Sequence, residues 1–356
     1  MKHLVLAGGG HGHILLLKKF AKKPLCGVEV TLITDYPKQY YSGMLAGYVE
    51  GIYCEEEMAF DVRALAEAAG VNYIESDIRT IDREKNAVIT DSGEITYDIL
   101  SMNLGVRSHE PFLLERREAS YVKPIARTVA FKKQLDKASG LKEKRLVIVG
   151  GGASGVELAL ALKAAYDFRE VLLLTSGEVA KNMNPASRER LRRLLKDKGI
   201  DLYESTTVRG VDGKKVQTED EAYAYDYDYL ILSTGFTGVE VEYKGFDVTE
   251  SNYVYVDSHL KAAPNVFAMG DMVTLKDRPR LPKAGVFAIR QAPVLYHNLM
   301  KALAEEDDLR SYTPQENYLQ IINGGGKKAL FNRGSFSLYG HIPWLIKDMI
   351  DRRYMK

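Results

Sequence analysis

Two glycine runs hold the residue types from which this sequence can build chemistry. In the first, Gly8-Gly9-Gly10-His11-Gly12-His13 follows the apolar stretch Leu4 to Ala7 and precedes a helical apolar pattern from Ile14 to Phe20. Strand, tight turn and helix in that order give a dinucleotide-binding motif its required context. Glycines let the backbone approach a pyrophosphate, whose charge is then stabilised by the free N–H groups and dipole of the helix N-terminus. In the second, Gly150-Gly151-Gly152-Ala153-Ser154-Gly155 follows the strand pattern Arg145 to Val149 and leads through Glu157 into an apolar helix, Leu158 to Ala165. This copy is a complete G-x-G-x-x-G. The first copy departs at its sixth position, where glycine or alanine is expected and His13 stands.

Carboxylates stand where each motif needs them. The apolar run Val28 to Thr34 ends in Asp35, placed to accept a hydrogen bond from an adenosine ribose hydroxyl. The corresponding strand of the second copy, Val171 to Thr175, ends in Ser176-Gly177-Glu178. Glu178 lies about two residues beyond the usual position. It could accept from a 2′-hydroxyl and would repel a 2′-phosphate, and no arginine sits in the immediate turn, so NADH is favoured over NADPH. A later strand pattern, Asn265 to Met269, runs into Gly270-Asp271, which reads as a carboxylate aimed at a cofactor hydroxyl. Leu281-Pro282-Lys283-Ala284-Gly285-Val286 then predicts a helix N-terminus near Gly285. Such an end stabilises negative charge developing on a reduced ring, and Lys283 adds to it.

The elements that must hold these residues repeat. Tyr97 to Leu104, ending in Gly105, closes the first unit, and Asp228 to Ser233, ending in Thr234-Gly235, closes the second. Each is an acidic residue or its neighbour, an apolar strand, then a small-residue turn at the strand end where open α/β sheets bind ligands. Two units imply two nucleotides in one chain and a redox relay, one cofactor delivering a hydride that the other receives. Between the motifs, Asp61 to Ala69 reads as a helix, with strands at Val71–Ser76, Ala87–Thr90 and Ile95–Leu104. Tyr36 to Gly47 is either a surface loop or backbone laid against a flat ligand. Glu55 to Glu57 reads as a solvated acidic helix start. Arg107 to Gly140 reads as a connector containing the charged cluster Glu115–Glu118 and a helix at Ile125–Ala138.

Composition removes several function classes. With 49 Lys plus Arg against 48 Asp plus Glu in 356 residues, there is no basic field for nucleic acid. Cys26 and Cys54 are isolated, which fits a reducing cytoplasmic setting and argues against a disulfide framework or zinc site. His11 and His13 lack further ligands nearby, so no metal is expected. The N-terminal apolar stretch is a first strand and not a signal peptide. No apolar run approaches the roughly 18 residues of a membrane span.

Taken together, the doubled glycine motif, Ser233-Thr234-Gly235 and Gly270-Asp271 resemble the flavin-dependent pyridine-nucleotide oxidoreductases with two dinucleotide-binding domains. Within them the sequence is similar to type II NADH dehydrogenase-like proteins. Gly8 to His13, Tyr41-Ser42-Gly43-Met44-Leu45 and Trp344 to Met355 further resemble the flavoprotein domain found fused to selenide, water dikinase, here in a stand-alone form. The resemblance spans essentially the whole chain. It implies an α/β fold of two Rossmann-like, glutathione-reductase-like domains with a short C-terminal extension. The expected boundaries are 1–108 and 251–305 for the FAD-binding domain, 109–250 for the NAD(P)-binding domain, and 306–356 for C-terminal strands and an amphipathic helix.

By that resemblance FAD sits on the first unit through the Gly8–His13 turn, Asp35 and Asp271, with Ser42-Gly43-Met44 and Pro282 to Val286 flanking the isoalloxazine. NAD(P)H sits on the second through Gly150, Gly152, Ser154 and Gly155. Histidine at position 13 belongs to this branch. Glu157 matches a carboxylate that lies close to nicotinamide and flavin in type II dehydrogenases. The absence of a redox cysteine pair disfavours disulfide and sulfide chemistry.

The expected activity is transfer of a hydride from NAD(P)H to FAD and then of electrons to a quinone or another small acceptor. A flavin-binding redox sensor and a reductase of sulfur or selenium species are the alternatives. In the tail, Leu345, Ile346, Met349 and Ile350 recur at helical spacing among Lys347, Asp348, Asp351, Arg352 and Arg353. That stripe either packs on the chain's own FAD domain or a second subunit, giving a homodimer, or enters a membrane interface weakly, with Trp344, from the cytoplasmic face.

Overall fold

Near-continuous apolar runs are what a parallel strand covered on both faces requires, and Lys2–Ala7 is such a run, with its last four residues buried. In the computed structural model, which describes residues 1–114, 117–220 and 223–356, this strand lies inside a six-stranded sheet. The order is Lys261–Ala263, Val266–Ala268, Ile99–Met102, Lys2–Ala7, Val28–Thr34, Asn72–Glu75. Only the Lys261–Ala263 edge is antiparallel to its neighbour. The register aligns Ala7 with Ile33 on one side and Met102 on the other, and Met102 with Ala268. With Thr34 aligned to Glu75 as well, five strand C-termini therefore open onto one edge, with the order reversing at Lys2–Ala7. That reversal is the switch point at which open α/β sheets bind ligands. Helices His11–Lys22 and Gly285–Leu303 pack on each other over this sheet.

The chain divides into two units. One comprises Met1–Tyr41, Ala59–Arg107 and Thr237–Gln315, and the other Ser42–Met58, Ser108–Phe236 and Glu316–Lys356. The second unit repeats the first in its sheet: Ala119–Tyr121, Tyr229–Leu232, Arg145–Val149, Glu170–Leu174 and Asp201–Tyr203, all parallel. Val147 and Val149, Leu172 and Leu174, and Leu230 and Leu232 are buried in one cluster. Residues two apart point to one face of a strand, so these pairs build a single apolar layer. The second unit also carries the antiparallel strands Gln320–Asn323, Ala329–Arg333 and Phe336–Gly340, then the helix His341–Met355.

Several elements differ from the sequence reading. The single strand expected over Ile95–Leu104 is two, Gly93–Thr96 and Ile99–Met102. The first pairs in a hairpin with Ala87–Thr90, and the chain then turns into the parallel sheet where Asp98 N–H donates to His3 O. Ile78–Asp82, in which Ile78, Thr80, Ile81 and Asp82 are all buried, and Phe336–Gly340 are strands the pattern did not reveal. The connector contributes the edge strand Ala119–Tyr121. Of its charged cluster, Glu115 lies outside the described residues, as does Arg116. The acidic helix start at Glu55–Glu57 is a short 3-10 turn, Glu56–Met58, in which Glu57 accepts from Cys54 N–H.

Candidate functional site

In the first unit the glycine turn is built around a residue that the motif does not contain. Asn103, at the end of the Ile99–Met102 strand, is 3% exposed. Its Oδ1 accepts from Gly12 N–H at 2.8 Å and from His13 N–H at 3.4 Å, and its Nδ2 donates to Met269 O at 3.0 Å. Its backbone carbonyl accepts from Gly10 N–H at 3.1 Å. One side chain thus joins three segments: the first turn, the closing strand and the stretch leading to Asp271. The close approach explains the glycines. A Cβ on Gly10 would lie 2.4 Å from Asn103 O, and one on Gly12 would lie 2.1 Å from Met269 Sδ. Gly8, at φ +93°, needs a glycine on conformational grounds as well. The signal for Asn103 was its place two residues before Gly105 at a strand's end, but polarity alone did not distinguish it from a turn residue.

His13 is fully buried. Its Nδ1 lies 2.6 Å from Gly8 O and its Nε2 lies 2.8 Å from Ser101 Oγ. A carbonyl can only accept, so Nδ1 carries the proton and Nε2 accepts from the serine hydroxyl. Burial holds its pKa down at about 4, against the opposing pull of the Gly8 carbonyl. In the second unit the sixth motif position is Gly155, whose added Cβ would fall 1.9 Å from Gly150 O. The matching carbonyl of the first turn is instead hydrogen-bonded by a ring. His13 is therefore a part of the turn's framework, with both ring nitrogens committed inside the protein. His11 meets Tyr41 edge-on, with ring centroids 5.6 Å apart.

The other predicted residues of this unit sit around the same sheet edge. Asp35 is exposed at the end of its strand. Gly270 (φ +82°) opens a short turn holding Asp271, and its N–H donates to Gln291 at 2.7 Å. Gly270, Asp271, Lys283, Ala284, Phe287 and Gln291 line part of a recess of about 310 Å³ that also includes Pro282. The helix beginning at Gly285 starts as predicted, with Val286 in its first turn. The Lys283 ammonium donates to Val273 O and lies 4.3 Å from the centroid of the Tyr253 ring. Burial lowers its pKa to about 8, with Asp271 opposing. Gly105 (φ +75°) has open space where a Cβ would stand.

In the second unit, Gly150 (φ +118°) packs so closely on the closing strand that a Cβ would meet Ser233 O at 2.1 Å. Gly152 and Gly235, by contrast, face open space. This is the pattern of a cradle, tight against its own fold on one side and free for a ligand on the other. Ser154 lies in the first turn of the Ala153–Ala165 helix, which no side chain caps. Thr234 donates to His109 O at 2.7 Å. Glu178 lies at the end of the Glu170–Leu174 strand, but the fold brings to it two arginines from the Pro185–Asp197 helix, Arg188 and Arg192. They stand 10 and 14 residues downstream, beyond the turn in which the sequence showed none.

Glu157 accepts from Asn323 N–H at 2.7 Å, and burial raises its pKa, opposed by Lys347 and by that hydrogen bond. Lys347 is a residue the sequence reading did not select. Its Nζ donates to the carbonyl of Gly43, in the short Ser42–Met44 turn, and pairs with Asp351 at 2.7 Å, both side chains being nearly buried. Tyr53 donates to Asp348 at 2.7 Å, and Arg352 bridges Asp348 and Glu57. The tail helix therefore docks within its unit by its polar face. Its apolar stripe points outward: Leu345, Met349 and Ile350 are exposed, as is Ile342. The sequence predicts that the stripe packs on the FAD domain or a second subunit or enters a membrane interface; Leu345, Met349 and Ile350 are exposed and Ile346 is half-buried, while the inward positions are taken by ion pairs.

Residues 2–292 match the family described as pyridine nucleotide-disulphide oxidoreductase. The chain is 28% identical over 189 residues to ferroptosis suppressor protein 1 of Taeniopygia guttata, a match that spans 49% of this chain and 49% of that protein. It is 22% identical over 338 residues to the type II NADH:quinone oxidoreductase of Staphylococcus saprophyticus, covering 85% of this chain and 83% of that one. In fold it is similar to NDH2 of Plasmodium falciparum, solved in complex with NADH, with a TM-score of 0.83 at 13% identity over 99% of this chain and 96% of that one.

Proposed function

The chain belongs to the pyridine nucleotide-disulphide oxidoreductase family, and from that premise we propose that it is an FAD-dependent NAD(P)H dehydrogenase that passes electrons to a quinone. The observation that carries this is the duplicated strand–glycine turn–helix, each copy at the C-terminal edge of its own parallel sheet. Two dinucleotide cradles in one chain suit a donor and an acceptor of hydride. In this reading Gly8, Gly10, Gly12, Asp35 and Asp271 hold FAD, while Gly150, Gly152, Gly155 and Glu178 hold the nicotinamide nucleotide. Bound flavin supplies the hydride-accepting ring. The protein's own part is to orient both rings and stabilise charge, Lys283 and the Gly285 helix end doing so in the first unit. Glu157, held by Asn323 and facing the charge of Lys347, is suited to holding or moving a proton in the second. Quinone as acceptor is supported by the name of the staphylococcal relative.

The purified protein is expected to be yellow with non-covalent FAD, to bleach on anaerobic addition of NADH, and to recover colour with a soluble quinone. Asp271→Ala should lose flavin. A colourless protein that takes up no FAD, or full flavin occupancy in the variant, overturns the assignment.

The exposed stripe of the tail favours a second element of this proposal, peripheral contact with an anionic membrane. Among the described residues no helix is long and apolar enough to cross a membrane. Ile342, Leu345 and Met349 are each more than half exposed on a helix that ends in Arg352, Arg353 and Lys356. That is the composition of an interfacial helix. Sedimentation with anionic liposomes at low ionic strength tests it: the wild type should bind and Leu345→Ser/Met349→Ser should not. Equal binding by the two, or concentration-dependent dimerisation abolished by the same changes, assigns the stripe elsewhere.

A further inference from the structure

The reading of the second unit as a nicotinamide-nucleotide site leaves open how its ribose end meets the 2′ position. Gly150 N–H donates to Leu174 O at 2.8 Å, which ties the phosphate turn to the Glu170–Leu174 strand that leads into Ser176-Gly177-Glu178. A Cβ on Gly177 would meet nothing, so the loop faces open space. A lone carboxylate here would reject a 2′-phosphate by repulsion. Glu178 is not alone. Arg188 pairs with it directly, and Arg192 approaches it at 3.4 Å.

The two arginines differ in their freedom. Arg192 is held in a fork by Glu204, at 2.9 and 3.0 Å, and Glu204 is itself fixed by Val179 N–H at 2.6 Å. Arg188 has only Glu178 as a carboxylate partner among the described residues, and its buried Nε has no hydrogen-bond partner. A guanidinium with an unsatisfied buried donor is not at its best arrangement. Its backbone position is nonetheless fixed. Asn184 caps the helix by accepting from Ser187 N–H, and Asn332 Oδ1 accepts from both Asn184 and Ser187 side chains. Residues 188 and 192 are one helical turn apart on the same face.

We propose that Arg188 is a specificity-determining residue that makes this site tolerant of a 2′-phosphate, so that the chain takes NADPH as well as NADH. Counting Glu189, which pairs with both Arg192 and Arg193, three arginines and three glutamates leave the cluster with no net charge, so Glu178 presents little repulsion. When a 2′-phosphate arrives, Arg188 exchanges the exposed carboxylate for phosphate oxygens, which its planar fork matches in geometry and charge. Arg192 remains on Glu204 and holds the loop. With NADH, Arg188 stays on Glu178, and the carboxylate is kept at the ribose hydroxyls.

The test is calorimetric binding of ADP-ribose and of its 2′-phosphate to the purified full-length protein, wild type and variants. The wild type should bind the two within about tenfold of each other. Arg188→Ala should weaken the 2′-phosphate about tenfold or more and ADP-ribose less than about twofold, one charge-assisted hydrogen bond being lost. Arg188→Lys, which keeps the charge without the fork, should fall between. Glu178→Gln should tighten the 2′-phosphate. Melting temperatures within a few degrees of wild type show that the variants are folded. Binding of ADP-ribose with the 2′-phosphate more than about a hundredfold weaker, or equal loss of both ligands in Arg188→Ala, overturns this inference and spares the nucleotide site. No binding of either ligand to the wild type removes the site itself and the inference with it.

Discussion

His13 should make the stability of the first unit depend on pH in a defined window. Its ring is fully buried, with Nδ1–H donating to Gly8 O and Nε2 accepting from Ser101, so the folded protein holds it neutral. Burial brings its pKa from 6.5 down to about 4. A group whose folded pKa lies below its unfolded value binds more protons when unfolded over the interval between them. Its contribution is therefore complete above about pH 6.5 and is lost as the pH falls toward about 4, below which both states are protonated and no further loss occurs. The difference corresponds to about 3 kcal/mol. The assay is urea denaturation of wild type and of His13→Gln, which cannot titrate, at intervals from pH 7 to pH 4. The variant starts less stable, and subtraction removes the titration of every other group. The difference between the proteins should shrink by about 3 kcal/mol across that window. A difference that stays constant with pH, or that grows as the pH falls, refutes the reasoning.

Asn103→Ala strips an acceptor from Gly12 and His13 N–H and a donor from Met269 O, and should cost about 2–4 kcal/mol in thermal or chemical denaturation together with flavin retention; unchanged stability would show that water replaces the amide. Lys347→Met leaves Asp351 buried without its partner and should destabilise by about 3 kcal/mol, and adding Asp351→Leu should recover most of it; two additive losses would deny the coupling. Gly155→Ala should lower the melting temperature because its Cβ collides with Gly150 O. Gly152→Ala should leave melting unchanged and weaken ADP-ribose binding, its Cβ occupying open space; equal effects on both readouts would mean the cradle is misassigned.

The two glycine turns were legible because their cause is local. A strand that must turn sharply into a helix while backbone approaches backbone needs glycine at fixed offsets, and Gly8, Gly10, Gly150 and Gly155 stand there with neighbours under 3 Å from any added Cβ. The parallel sheets were legible for the same reason, as apolar runs such as Arg145–Val149 and Tyr229–Leu232 leave little choice of environment. Partners distant in sequence were not legible. Asn103 reaches Met269 across 166 residues, and Glu157 meets Asn323 across another 166. Nothing in the local pattern of either residue distinguishes such a hub from an ordinary polar position. Arg188 and Arg192 lie closer to Glu178 in sequence, yet it took the return of a capped helix to bring them there.

The tail helix shows why periodicity can locate an apolar face without saying where that face points. Spacing placed Leu345, Ile346, Met349 and Ile350 on one side and charged residues among them, and the usual outcome turns the apolar side inward. Here Lys347 and Asp351 are turned in and the apolar side is turned out. Desolvating an ion pair is costly unless its remaining hydrogen-bonding capacity is met. In this unit the Gly43 carbonyl meets part of it for Lys347, while Tyr53 and Glu57 receive Asp348 and Arg352. Segment 42–58 supplies all three partners, and together with packing on the Gln320–Asn323, Ala329–Arg333 and Phe336–Gly340 strands and the burial of Pro343 they fix the rotation of the helix. Exposing several large apolar side chains together is then a cost of that rotation, and it is offset only if something covers them. Polar docking inward and apolar exposure outward are thus two consequences of one choice, and an anionic membrane that takes up the stripe would leave every one of the polar contacts in place.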